Sequence, residues 1–169
     1  MEGGLTIDSG TRGSTGATIL RITLGVIILV TWLENLDKGL YTAEGLTSFL
    51  DSLFDSENGN GSSLTAYKSF LDAAVIPVAG VYGGFQLVVE LLMGVGLLVG
   101  GLTRLFSLIA VLFFFNLFLG YFGGQEWIWT YVLLVVTAIA VFVGYGGRRL
   151  GVDAWLARTR GDSPYKLLW

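Results

Sequence analysis

The stretch "GGFQLVVELLMGVGLLVGGLTR", residues 83–104, runs apolar or small for most of its length around one acidic group, Glu90. A helix of about twenty residues rises roughly 30 Å, the thickness of a bilayer's hydrocarbon core. The segment reads as a membrane-crossing helix, so the placement of its carboxylate decides how the chain packs. An ionised carboxylate at mid-depth costs about 2.5 to 3.5 kcal/mol on insertion scales, which disfavours a lipid-facing position. At 100° per residue, Gly83, Gln86, Gly94, Leu97 and Gly101 lie within about 40° of Glu90. Small residues admit a neighbouring backbone at close range. This face is therefore expected to meet other helices and to hold Glu90 inside.

The whole chain shares this character. Its 169 residues are 53% hydrophobic and 14% charged, with a mean hydropathy of +0.70, a balance foreign to soluble domains. Apolar runs at about 18–36, 78–99, 102–122 and 127–145 are each long enough to cross a membrane. The expected fold class is all-α, an integral membrane four-helix bundle over residues 17–147. A flexible Gly/Ser/Thr-rich tail, 1–16, precedes it, and a basic tail, 148–169, follows. "GGLTR" (100–104) and "GGQE" (123–126) are tight connections, which makes helices two, three and four antiparallel neighbours. The first apolar run lacks a basic leader and an A-x-A site, and is read as a retained helix.

With these spans, eight of the ten Lys and Arg residues fall on the side of the termini, against Lys38 and Lys68 on the other. That division places both termini in the cytoplasm. The opposite face carries Glu34, Asp37, Glu44, Asp51, Asp55, Glu57, Asp72 and Glu126, so nucleic acid is excluded as its partner. Residues 41–77 form the one long connection. Leu46, Phe49, Leu50, Leu53 and Phe54 recur at helical spacing, as do Leu64, Tyr67, Leu71 and Ala74, around "DSENGNGSS". Two short amphipathic helices at the outer interface are expected there, and Pro77 fits the first turn of the next helix. Tyr121, Trp127, Trp129 and Tyr131 read as interface anchors. The tail "GGRRLGVDAWLARTRG" is expected along the cytoplasmic headgroups.

The chain contains no cysteine and no histidine. Disulfides, thiolate nucleophiles, Cys/His metal centres and histidine-ligated haem are thereby ruled out, and no metal site or covalently bound cofactor is expected. "GVGLLVGG" lacks the Lys-Ser/Thr and the preceding strand of a phosphate loop; Gly80 with Gly84 and Gly96 with Gly100 fit small-xxx-small helix packing instead.

The remaining candidates are polar groups within the spans. Arg21 lies one turn inside helix one, about 7 Å shallower than Glu90, a gap that two extended side chains can close. Asn116 falls near the level of Gln86, and Asn35 nearer the outer face. The expected constellation is a polar ladder of Arg21, Glu90, Gln86 with Asn116, then Asn35. Either Arg21 and Glu90 satisfy one another and pin two helices together, or the ladder handles protons or holds the head of a lipid-soluble ligand such as a quinone. Glu34 and Lys38, spaced i, i+4, read as a solvated pair.

Arg21 with Gly25, the "NLDKGL" exit, "ELLMGVGLLVGGLTRL" and "GYGGRRLGVDAWL" together resemble the DoxX/DoxD family of small four-helix membrane proteins, over about residues 17–156. The long acidic connection sets this chain apart from simpler members. The resemblance implies a prokaryotic plasma-membrane protein and a membrane subunit of a quinone-linked complex of the thiosulfate:quinone oxidoreductase kind. Quinone would be its ligand, and a partner subunit or a second copy its neighbour in the bilayer. It supplies no catalytic residues. Two other functions remain open: a non-catalytic scaffold or assembly factor, and a small transporter. The latter would call for broken helices, and Pro77, at a helix start, does not provide one.

Overall fold

The computed structural model describes residues 13–161, 163 and 165, and every regular element among them is helical. Residues 1–12 of the expected flexible tail lie outside the described residues, whereas Ser14 caps the first helix and Thr15 and Gly16 are already helical, so the tail ends earlier than expected. Helix α1 (Thr15–Asp37) begins at Ser14, whose side chain caps the Ala17 amide. Helix α2 (Ala43–Phe54) begins at Thr42, whose hydroxyl accepts from the Gly45 amide at 3.0 Å. Then come α3 (Thr65–Phe70), α4 (Ala79–Val99), α5 (Thr103–Tyr121), α6 (Trp129–Val143) and α7 (Val152–Arg160).

Three helical stretches are long and apolar enough to cross a membrane: Thr15–Asp37, Thr65–Val99 and Thr103–Tyr121. The sequence-expected fourth, α6, has 15 residues, about 22 Å at the helical rise. It nonetheless traverses the depth of the molecule. Its first turn stacks Tyr131 on Tyr121 at the end of α5, ring centroids 4.8 Å apart. Its exit lies beside the start of α1, where the Ser14 amide donates to the Gly144 carbonyl at 3.2 Å.

The second helix expected in the long connection is not separate. The chain stays helical from α3 through a π-helical turn, Leu71–Val75, and a 3-10 turn at Ile76–Val78, directly into α4. Pro77 has no amide hydrogen and its ring crowds the preceding turn, which accounts for the irregular step.

Helix α1 packs along α4 and α5 along α6, with α1 also meeting α6. Glycine sets the first contact: a Cβ on Gly25 would lie 2.7 Å from the Leu98 nitrogen. The principal core joins Leu24, Ile28, Met93, Leu97, Ala110, Phe114, Ala138 and Val141, all buried. A second cluster binds α2 to the α3–α4 stretch through Leu46, Leu50, Leu53, Leu71, Val75 and Ala79. Large apolar side chains such as Val81, Phe85, Leu112 and Val143 cover the outside, as lipid contact requires and water does not favour.

Candidate functional site

Glu90 is 1% exposed on the inner face of α4. Gln86, one turn earlier, donates from Nε2 to Glu90 Oε1 at 2.6 Å. The Tyr41 hydroxyl donates to Oε2, also at 2.6 Å. Asn35 faces both the carboxylate and the tyrosine. Local backbone geometry delivers Tyr41 to this place. Gly39, at φ 69°, turns the chain out of α1, a conformation that glycine adopts without steric cost. The Tyr41 backbone then lies against Gly83, where a Cβ would come 2.5 Å from the Tyr41 carbonyl oxygen. Burial first, and then the hydrogen bond to Glu90, push the Tyr41 hydroxyl above the usual tyrosine range.

Glu90, Gln86 and Asn35 border a cavity of about 400 Å³, which Tyr41 itself does not line. Its sides are the apolar Ile28, Phe113, Phe114, Leu117 and Leu134, and Phe49 of α2 lies across it. Glu34 and Lys38 also border it, and they form an exposed pair at 3.5 Å. The Tyr121–Tyr131 stack lines it too. Those two tyrosines were expected as anchors alone; only Trp127 and Trp129 stand well exposed. An apolar chamber of a few hundred Å³ with a few convergent polar groups has the make-up of a small-molecule site.

Arg21 is not in it. The expected pair with Glu90 does not form, and no ion pair joins the two. The Arg21 guanidinium donates to the carbonyls of Leu97, Leu98 (3.1 Å) and Leu150 (2.9 Å). The last carbonyls of a helix lack intrahelical partners, and a five-donor guanidinium meets several at once. Asp153 lies near enough to act on Arg21 electrostatically. Its carboxylate accepts from the Leu102 and Thr103 amides, both at 2.8 Å, and so caps α5. That cap supports Leu102, a non-glycine residue at φ 51°. The tail therefore does more than lie along headgroups. Its start and α7 are stapled into the end of the molecule, with Asp153 and Ala154 buried while Leu150 and Trp155 remain exposed.

Asn116 is also placed elsewhere: its Oδ1 accepts from the Tyr67 hydroxyl. Of the expected ladder, the structure brings together Glu90, Gln86 and Asn35, and sends Arg21 and Asn116 to other partners. Sequence reasoning missed Tyr41, Tyr67 and Asp153. The available signals were a tyrosine two residues after a helix-ending glycine, and an acid, Asp153, set between the basic pairs of the tail. Among the described residues no group of His, Cys, Asp and Glu is arranged to hold a metal ion. Comparison with known proteins gives no matching family model, no matching curated protein and no matching solved structure.

Proposed function

We propose that the chain crosses the membrane four times as a helical bundle, with both termini cytoplasmic and α2 on the outer side. In this reading it belongs with DoxX/DoxD-type chains in a prokaryotic plasma membrane and serves as the membrane subunit of a quinone-linked oxidoreductase. Its cavity receives the quinone head. One observation carries the ligand reading: a buried carboxylate, Glu90, held by Tyr41 and set with Gln86 and Asn35 on the wall of an apolar chamber of about 400 Å³.

The residues fit such a head. A quinone supplies two-electron, two-proton chemistry, and its carbonyl oxygens need donors. Gln86 keeps a second Nε2 hydrogen beyond the one it gives Glu90, the Asn35 amide also lines the cavity, and a protonated Glu90 is a third donor, while the single Tyr41 O–H is committed to holding Glu90. Phe113, Phe114 and Leu134 exclude water from the ring's place. Glu90 is suited to hand over a proton, while electrons come from a partner subunit, because the sequence offers no cysteine or histidine to ligate a redox centre. The partner docks in the bilayer or against α2.

The test separates binding from proton transfer. Purified protein in nanodiscs should bind a short-tailed quinone saturably, and Glu90→Leu should weaken it by about tenfold, the worth of one good hydrogen bond. Glu90→Gln should keep affinity within about threefold. In membranes with donor and partner, it should slow quinone reduction by about a hundredfold, as loss of a general acid does. Saturable binding indifferent to both substitutions, or wild-type turnover in Glu90→Gln, ends the quinone reading.

The scaffold reading keeps one observation in its favour: the Arg21 guanidinium bonds to the backbone carbonyls of Leu97, Leu98 and Leu150 and so holds the fold together. It predicts that Glu90→Gln lowers the yield of a complex with no separable loss of activity.

A further inference from the structure

The polar groups inside this molecule lie in separate layers. The cavity is bordered by α2 itself (Leu46, Phe49), by Lys38 and Leu40 of the connection, and by the helix halves nearest them: residues 27–35 of α1, Gln86 and Glu90 of α4, residues 113–121 of α5, and the first turns of α6. Beyond it, Leu24, Met93, Leu97, Ala110, Ala138 and Val141 are 0% exposed and form a dry layer across all four long helices. Past that layer, the end toward α7 is closed by Arg21 bonded to Leu97 and Leu150, and by Asp153 bonded to Leu102 and Thr103.

We infer that Glu90 is a protonatable site with one-sided access, exchanging its proton with the water on the α2 side and sealed from the α7 side. The groups that face it agree. From α1 come Asn35 and, at the rim, the exposed Glu34–Lys38 pair; from the connection, Tyr41; from α4, Gln86 and Tyr82; and from α5 and α6, the stacked Tyr121 and Tyr131. Neutral hydrogen-bonding groups surround the carboxylate and the charges stand at the mouth, an arrangement that lets protons come and go from that side alone. The consequence for chemistry at this site is that its protons are exchanged with the α2-side solution whichever ligand occupies it. The inference rests on the membrane-spanning part of the proposed function and not on the quinone.

Carbodiimides test it, because a protonated carboxyl adds across the N=C=N group: the proton goes to nitrogen, the carboxyl oxygen to carbon, and nothing leaves. The chain has no cysteine, so Ser48→Cys on the exposed side of α2 gives a unique handle. An impermeant maleimide then sorts vesicles by which face is outward. A water-soluble cationic carbodiimide should modify Glu90, read by peptide mass, about a hundredfold faster in α2-out vesicles than in α2-in vesicles. That ratio is the rate equivalent of carrying a charge through mid-membrane. Membrane-permeant dicyclohexylcarbodiimide should modify both equally, and Glu90→Gln should abolish the adduct. Equal labelling by the cationic reagent from both faces, faster labelling from the α7 face, or no adduct with either reagent overturns the inference. Failure of the spanning reading shows separately, as protein released from membranes by alkaline carbonate. Failure of the quinone reading leaves the sided labelling intact.

Discussion

At the scale of single residues, the two buried charged groups named from the sequence have different jobs, and substitution should separate them. Arg21→Ala strands three carbonyls and the Asp153 charge in a sealed layer. It should cost about 3 to 5 kcal/mol, measured by unfolding in mixed detergent micelles. Arg21→Lys should recover only part, since an ammonium cannot reach both the α4 end and Leu150 as a planar fork does. Tyr41 gives a pH test. Its folded-state ionisation lies above the ordinary tyrosine value near 10, so the folded protein holds that proton more tightly than the unfolded chain. The stability this contributes is complete below about pH 10 and is lost as pH rises beyond it. Between about pH 9 and 11, wild type should lose more stability than Tyr41→Phe does. What the sequence disclosed here was periodic: Glu90 facing inward, with Gln86 one turn away, follows from 3.6 residues per turn. The partner of Arg21 was hidden for a physical reason. Matching depths along idealised cylinders cannot weigh a distant carboxylate against the open carbonyls at a helix end, and those carbonyls lie nearer.

Helix ends are legible in the chain because their chemistry is local. Ser14 and Thr42 cap, Gly100 at φ 73° ends α4, and the bounds of the three long apolar helices fall within a few residues of expectation. Contacts between helices are less legible, because α4 carries glycine on more than one face. Gly80 with Gly84 was read as a packing pair, yet a Cβ on Gly84 would meet nothing within 4 Å, whereas one on Gly25 would strike the α4 backbone at Leu98. This difference predicts opposite outcomes for one chemical change. Gly25→Ala must push α1 and α4 apart and should cost about 1 to 3 kcal/mol. Gly84→Ala adds only helix propensity and should stabilise by about 0.5 to 1 kcal/mol. Detergent unfolding of the two variants beside wild type checks both, and equal effects would mean that the α1–α4 contact is looser than the structure has it.

For the molecule as a whole, the existence of two hydrophobic clusters matters more than the count of helices. The principal core lies between the long helices, while the cluster of Leu46, Leu50, Leu53, Leu71, Val75 and Ala79 ties α2 down over the cavity. Amphipathic spacing in the sequence revealed that α2 would form. It did not reveal what α2 covers, because an apolar stripe fits a lipid interface as well as a protein neighbour. Leu53 links the two regions: a Cβ on Gly120 of α5 would lie 3.1 Å from its Cδ1. Truncating it should therefore loosen the cover without unfolding the span. Leu53→Ala removes about 2 to 5 kcal/mol of packing, and because local opening draws on local contacts, the loss should stay within one segment. Hydrogen exchange followed by mass spectrometry in nanodiscs should show Ala43–Phe54 losing protection by about a hundredfold, with Ile28 and Ala110 and their neighbours unchanged. A uniform loss across α1, α4 and α5 would mean that α2 is part of a single cooperative core. Loss confined to α2 would make it the element whose opening admits a ligand to Glu90.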